Sequence, residues 1–344
     1  MLSRTILLLL AAGGPSFGGD WNPRLAADYL DGRQKAWFAW PAAQRPGGPC
    51  MSCHTGLTYL LARPELDGAL RESGPTLYET GLLDSVRNRL PKKTAQEYSP
   101  GRAEPSASQA VGVESVLSAL LLASNDARRG GTLSAETEQA FDRMWPLQTA
   151  GGWNWFNLDL EPWEEPESAF YGASLAALAV GVAPSGYQSR PEIQSKVEDL
   201  KRYLTARQQT QPLHNRLTLL WASTKLRGLL SGVDSKAIVE ETLRRQQADG
   251  GWTIESLGSW RAHANAPAAA GSNAYATALV AFILQRAGRP PDTALDWLRA
   301  HQDPAGYWDA ASMNKRYEPD SMPLLFMRDA ATSFAAMALL ESAK

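Results

Sequence analysis

Three stretches decide the fold: Gln148-Thr149-Ala150-Gly151-Gly152-Trp153, Gln247-Ala248-Asp249-Gly250-Gly251-Trp252, and Gln302-Asp303-Pro304-Ala305-Gly306-Tyr307-Trp308. Each closes a helical pattern and opens an aromatic loop, and the last two lead into small-residue apolar helices, Ser272 to Gln285 and Ala330 to Leu340. A unit that recurs this way is one supersecondary building block that cannot bury its own apolar faces and must stack on its neighbours. Working outward, weaker copies fill the chain and give six outer/inner helix pairs. The outer helices are expected near 23–43, 76–90, 134–148, 190–209, 235–248 and 292–302. The inner ones are expected near 52–63, 108–124, 167–180, 214–229, 273–286 and 329–342. The inner set is apolar all round, as in Ala173 to Val180, which marks buried helices; the outer set is amphipathic, as in Val197 to Leu204. Strand alternation and hairpin dipeptides are nearly absent. The expected fold is therefore all-α, an (α/α)6 toroid with the small-residue helices inside.

The Gln-x-x-x-Gly-Trp pattern resembles the QW motif of the squalene–hopene cyclase and oxidosqualene cyclase superfamily, whose α/α toroid is shared by protein prenyltransferase β subunits. The resemblance covers most of the chain through its repeats. It implies that Gln148, Gln247 and Gln302 cap outer helices and that Trp153 and Trp252 stack on neighbouring loops. It implies fold rather than activity. Triterpene cyclases carry an Asp-x-Asp-Asp proton donor, and the nearest stretch here, Asp159-Leu160-Glu161, does not match it. Prenyltransferase β subunits hold zinc through separated Asp, Cys and His residues, whereas the two cysteines here lie together.

Those cysteines form Cys50-Met51-Ser52-Cys53-His54. Cys-x-x-Cys-His reads as a c-type haem attachment site, because two thiols at that spacing add to the two vinyl groups of one porphyrin and the adjacent histidine reaches the iron. The alternatives are a Cys50–Cys53 disulfide, metal binding or reduced thiols. Zinc needs further ligands that the sequence does not pair with the motif. The distal iron ligand is expected from Met313, Met322 or Met327, then from His263, then His214. His301 reads as an ordinary residue late in an outer helix. The rim carrying the motif is expected to bear the long loops near 149–166, 248–271 and 303–328. Inner-helix N-termini there favour an anion, with Arg261, Lys315, Arg316 and Arg328 nearby to assist.

A second constellation is the acidic aromatic loop from Trp153 to Glu167. Its carboxylates Asp159, Glu161 and Glu165 are the candidates for acid/base catalysis, in the manner of carbohydrate-active (α/α)6 enzymes. The competing reading is that Glu165 and Glu167 simply precede a helix, where acids suit the N-terminal dipole.

Composition bounds the rest. Residues 1–19, with Arg4 before an apolar run from Ile6 to Ala12, read as a secretory signal peptide, leaving residues 20–344 as one domain. The run is too short to span a bilayer, so no transmembrane segment is expected after signal removal. The expected location is secreted or periplasmic, where haem c attachment occurs. A net charge of −2 gives no footprint for nucleic acid. The expected function is a haem c protein with a redox, electron-transfer or ligand-sensing role beside a hydrophobic pocket. The expected partners are a redox protein and an apolar or polyprenyl-like molecule. The alternatives are a haem-free terpenoid cyclase or transferase, a carbohydrate-active enzyme, and a binding scaffold stapled by a disulfide.

Overall fold

Asn22 starts the first helix by accepting hydrogen bonds at its side-chain oxygen from the Arg24 and Leu25 amides, with Pro23 at the first helical position. The structure, a computed structural model, describes residues 21–92, 94–268 and 270–343; the expected signal peptide lies outside them. In chain order the elements are α1 (Pro23–Ala39), β1 (Gln44–Arg45), β2 (Gly48–Pro49), α2 (Gly56–Leu70), α3 (Leu77–Arg89), α4 (Ala95–Tyr98), α5 (Ser106–Arg128), α6 (Ala135–Met144), α7 (Ser168–Val182), α8 (Gln194–Arg207), α9 (Leu213–Ser223), α10 (Gly232–Arg244), α11 (Ala274–Arg286), α12 (Asp292–Ala300) and α13 (Phe326–Glu341). Helix makes up 61% and strand 2%, which places the protein in the all-α class.

Polar side chains set the helix starts. Thr76 and Glu79 form a reciprocal capping box on α3. Ser134, Ser231 and Asn273 cap α6, α10 and α11. The helices divide as the composition requires. α2, α5, α7, α9, α11 and α13 are the buried set; α7 has twelve of its fifteen residues buried. Each touches the next in that order, and α13 returns to touch α2. α3, α6, α8, α10 and α12 each pack on the inner helix that precedes them, and α1 packs on α13. Leu61, Ser124, Leu178, Trp221, Phe282 and Met337, one from each inner helix, line a common cavity of about 180 Å³. Two stretches, Ser106–Arg128 and Met322–Glu341, are long and apolar enough to cross a membrane. Their apolar windows are 83% and 72% buried within the protein, the situation of core helices.

The glutamine–tryptophan repeats work differently from the expectation. Trp153, Trp252 and Trp308 each donate the indole N–H to a carbonyl at the end of their own outer helix, those of Met144, Thr242 and Leu298, each at 2.8 Å. The tryptophans are thus the C-terminal caps, and Trp308 rather than Tyr307 plays this part in the third copy. The glutamines bind the next outer helix instead. Gln148 Nε2 donates to Lys196 O on α8 at 3.1 Å. Gln302 exchanges bonds of 2.6 and 3.0 Å with the Asn22 backbone. In the second copy the equivalent residue is Gln246, which donates to Gly250 O and to Thr293 Oγ1 on α12. Gln247 only reaches Arg245 O. The choice between two adjacent glutamines was not readable from spacing, because the first copy is one residue shorter than the others between glutamine and tryptophan.

Candidate functional site

The Cys50–His54 segment is a turn leading into α2, and its conformation is set locally by Ser52. Ser52 Oγ accepts from the amides of Thr55 and Gly56 at 3.1 and 2.9 Å, covering helix N–H groups that have no intrahelical partner. Tertiary contacts then fix the turn in place. Trp37 of α1 donates to Cys50 O at 3.0 Å, and Gln34 donates to Thr55 O at 3.1 Å. Arg89 holds Gly48 O and Pro49 O while its Nε pairs with Glu114 at 2.7 Å. Tyr98 completes the Glu114 carboxylate at 2.7 Å. The hairpin before Cys50 is therefore anchored to α3 and α5 by a buried, hydrogen-bonded ion pair.

His54 has a defined tautomer. Its Nδ1 lies 2.9 Å from Thr55 Oγ1, and Thr55 donates its hydroxyl proton to Asp329 Oδ2 at 2.9 Å. The Thr55 oxygen is thus the acceptor, Nδ1 carries the proton, and Nε2 keeps its lone pair. A metal-bound histidine is ordinarily prepared in this way, with the far ring nitrogen donating to a supporting group. Asp329 in turn receives Arg33 Nε at 2.7 Å, Arg33 Nη2 at 3.1 Å and Tyr29 OH at 2.9 Å. Burial, with Arg33 second, pushes the His54 pKa down to about 3, so the ring is neutral at physiological pH. Phe326 stacks on the imidazole at 3.7 Å between ring centroids, with Trp37 and Trp163 at 6.0 and 5.8 Å.

Two cavities of about 240 and 250 Å³ share His54, Phe326 and Glu164 in their walls. The first contains both cysteines with Trp37, Trp40 and Phe156. The second contains Trp163, Asn314, Tyr317 and Met327. Cys53 is buried and Cys50 half-buried, both as free thiols. Burial raises both thiol pKa values, so both stay protonated. That does not suit an activated nucleophile. Among the described residues no group of three or more His, Cys, Asp or Glu side chains is arranged to hold a metal ion. A haem iron is a different case, since the porphyrin itself supplies four nitrogen donors. Two thiols and an imidazole with an available Nε2, set among aromatic side chains, fit haem in their chemistry.

The three long loops meet over this motif. Asn314 exchanges 2.9 Å bonds with the Glu161 backbone, Arg316 N donates to Asn265 O at 2.7 Å, and His263 pairs with Glu161 at 2.6 Å. Of the distal candidates, Met327 is buried in the cavity wall shared with His54. Met322 is engaged with Arg33 through its sulfur at 3.4 Å, and Met313 packs against the core. His263 is committed to Glu161. His214 is a satisfied core residue: Tyr275 OH accepts from Trp163 Nε1 and so donates to His214 Nε2 at 2.8 Å, while Asn215 takes Nδ1 at 3.1 Å. His301 stacks on Trp297 at 3.9 Å.

The carboxylates sort differently from expectation. Asp159 is exposed and paired with Arg261 at 3.0 Å. Glu165 accepts from the Glu167 amide at 2.9 Å at the start of α7, the capping role. Glu161 is buried and lines the second cavity, but its carboxylate is held by His263. The carboxyl that reaches both cavities is Glu164. It lies in the acidic loop, yet irregular backbone gives no spacing rule that would have selected it over its neighbours. Among the cations, Lys315 lines the second cavity and Arg328 pairs with Asp309 at 2.7 Å.

Burial raises Glu164 to about 7, opposed by the Arg102 guanidinium. Its folded pKa exceeds the unfolded value, so its contribution to stability is complete below pH 4.5 and is lost as pH rises through 7. Glu164→Gln is expected to raise the melting temperature at pH 8 and leave it unchanged at pH 4. A melting temperature at pH 8 equal to that of the parent chain contradicts a desolvated carboxyl at this position.

No protein-family model matches the sequence, and no curated protein matches it either.

Proposed function

We propose that this chain is an exported, squalene-cyclase-like (α/α)6 toroid that carries covalent haem c and serves in electron transfer or ligand sensing beside an apolar pocket. The observation that carries the reading is the pairing of two protonated thiols with an imidazole whose Nδ1 proton is committed through Thr55 to Asp329. The toroid is supported by the cyclic order of the six inner helices and by the Gln302–Asn22 bonds that join the last outer helix to the first. The group supplies a one-electron couple when bound. Cys50 and Cys53 would each add across one vinyl group, sulfur to one carbon and hydrogen to the other, with no net oxidation. His54 would hold the iron through Nε2; of the candidate methionines, Met327 shares a cavity wall with His54, the second cavity rather than the thiol cavity.

Expression in a periplasm equipped for cytochrome c maturation is expected to give a Soret band and a mass increase of about one haem. Cys50→Ala with Cys53→Ala should abolish covalent attachment, and His54→Ala should change the spectrum while helical content is retained. An intact mass two hydrogens below the reduced chain, with no Soret band, would favour the disulfide-stapled scaffold instead. A haem-free enzyme is the second reading, and Glu164 rather than Asp159 would be its acid, since Glu164 alone reaches both cavities among the loop carboxylates named above.

A further inference from the structure

The thiol cavity opens beside Arg45 on β1 and Arg102 in the turn before α5. Both also line an adjoining cleft of about 500 Å³ made by Gln44, Pro46, Ser99, Pro100 and Gly101. The two arginines therefore stand at the boundary between an aromatic interior and an open entrance. Neither forms a salt bridge among the described residues. Arg45 uses Nη1 on the Ala42 and Gln44 carbonyls at 3.0 and 2.7 Å. Arg102 rests over the Phe156 ring at 5.4 Å and reaches Ser106 Oγ at 3.4 Å. The carboxyls that line the same cavity are not paired with them among the described residues: Glu114 is consumed by Arg89 and Tyr98, and Glu164 makes no ion pair with either arginine. Two cations without carboxylate partners, at the mouth of an apolar slot, are the arrangement that recognises an apolar body bearing anionic groups on one edge.

We infer that Arg45 and Arg102 bind the two carboxylates of a planar, apolar dicarboxylate seated in the thiol cavity, with the thiols at its inner edge and the arginines at its solvent edge. This rests on the haem reading, since the propionates of haem lie on the edge away from its vinyl groups. The arginines act before any covalent bond forms, by holding the group in register for Cys50 and Cys53. They are positioning residues, and their effect is on noncovalent affinity.

The test uses the full chain prepared in reduced form without haem, titrated with haemin and with haemin dimethyl ester, and followed by quenching of tryptophan fluorescence and by the Soret shift. Arg45→Gln and Arg102→Gln are each expected to weaken haemin about tenfold, as the loss of a charge-assisted hydrogen bond does. The ester should bind the parent chain no better than the doubly substituted chain does, and be indifferent to either change. Arg45→Lys, which keeps the charge, should retain part of the affinity and separate charge from any damage to the hairpin. Arg129→Gln, an exposed cation outside the cavity, should leave both affinities alone. Haemin bound equally well by parent and Gln variants, or haemin and its ester weakened alike, overturns this inference while leaving the haem reading standing. A parent chain that binds neither probe overturns both.

Discussion

Asp329→Ala is expected to destabilise the protein by about 3–5 kcal/mol, read as a fall in the urea midpoint with an unchanged slope. Asp329 is 1% exposed and receives four hydrogen bonds, two from Arg33, which is itself buried, one from Tyr29 and one from Thr55. Removing the carboxylate leaves a guanidinium buried between α1 and α13 with only its weak contacts to Met322. That uncompensated charge, more than the loss of attraction, is the source of the penalty. The pair itself need not be stabilising, because desolvating two ions costs about as much as their attraction returns. Arg33→Met combined with Asp329→Leu should therefore recover most of the loss while Asp329→Ala alone does not. A single substitution costing less than 1 kcal/mol would show that water reaches Arg33. If the chain takes up haem as proposed, the recovered double variant should still show an altered spectrum, because Thr55 no longer has Asp329 to hold its hydroxyl as an acceptor for His54.

How much of this was readable beforehand depends on whether the determinant was local. The helix pairs were, since Ala173 to Val180 is apolar on every face and can only be buried, and Ser134 or Asn273 announces a helix start in one residue. The cysteine–histidine motif is visible as a local spacing, and the structure brings Cys50, Cys53 and His54 to one cavity wall. The support behind it was not legible. Asp329 lies 274 residues from Thr55 and 296 from Arg33, and nothing short-range ties them. The same holds for Glu164, which differs from Glu161 and Glu165 only in what the fold brings near it. Closure of the helix pairs into a ring would put the sixth loop, with Met313, Met322 and Met327, beside the first pair, and packing divides them: Arg33 takes Met322, the core takes Met313, and Met327 lines the second cavity with His54. The role of the repeat glutamine was misjudged for a related reason. A side chain at a helix end can cap its own helix or reach the next one, and sequence spacing does not distinguish the two.

Gly306→Ala is expected to be nearly as damaging as the loss of Asp329, at about 3–5 kcal/mol, because it combines backbone strain with a clash against another backbone. Gly306 has φ +95°, and a Cβ there would sit 2.1 Å from Leu25 O on α1. A carbonyl within a helix cannot yield as a flexible side chain can. The comparison is Gly288, at φ +73° with nothing within 4 Å of its Cβ position. Gly288→Ala isolates the strain and should cost about 1 kcal/mol. The difference between the two variants measures the contact between the last outer helix and the first. The other repeats repeat the arrangement, since a Cβ at Gly151 or Gly250 would lie 2.6 Å from Asp199 O or 2.7 Å from Thr293 O. Gly306 differs from them in joining the two ends of the chain's helical order, with Gln302 bonded to Asn22 beside it. If α1 and α12 close a ring, Gly306→Ala should lower the unfolding midpoint and also expose the α1 backbone to hydrogen exchange ahead of the rest. Protection that falls equally in all outer helices would mean the seam is no more vulnerable than any other repeat junction.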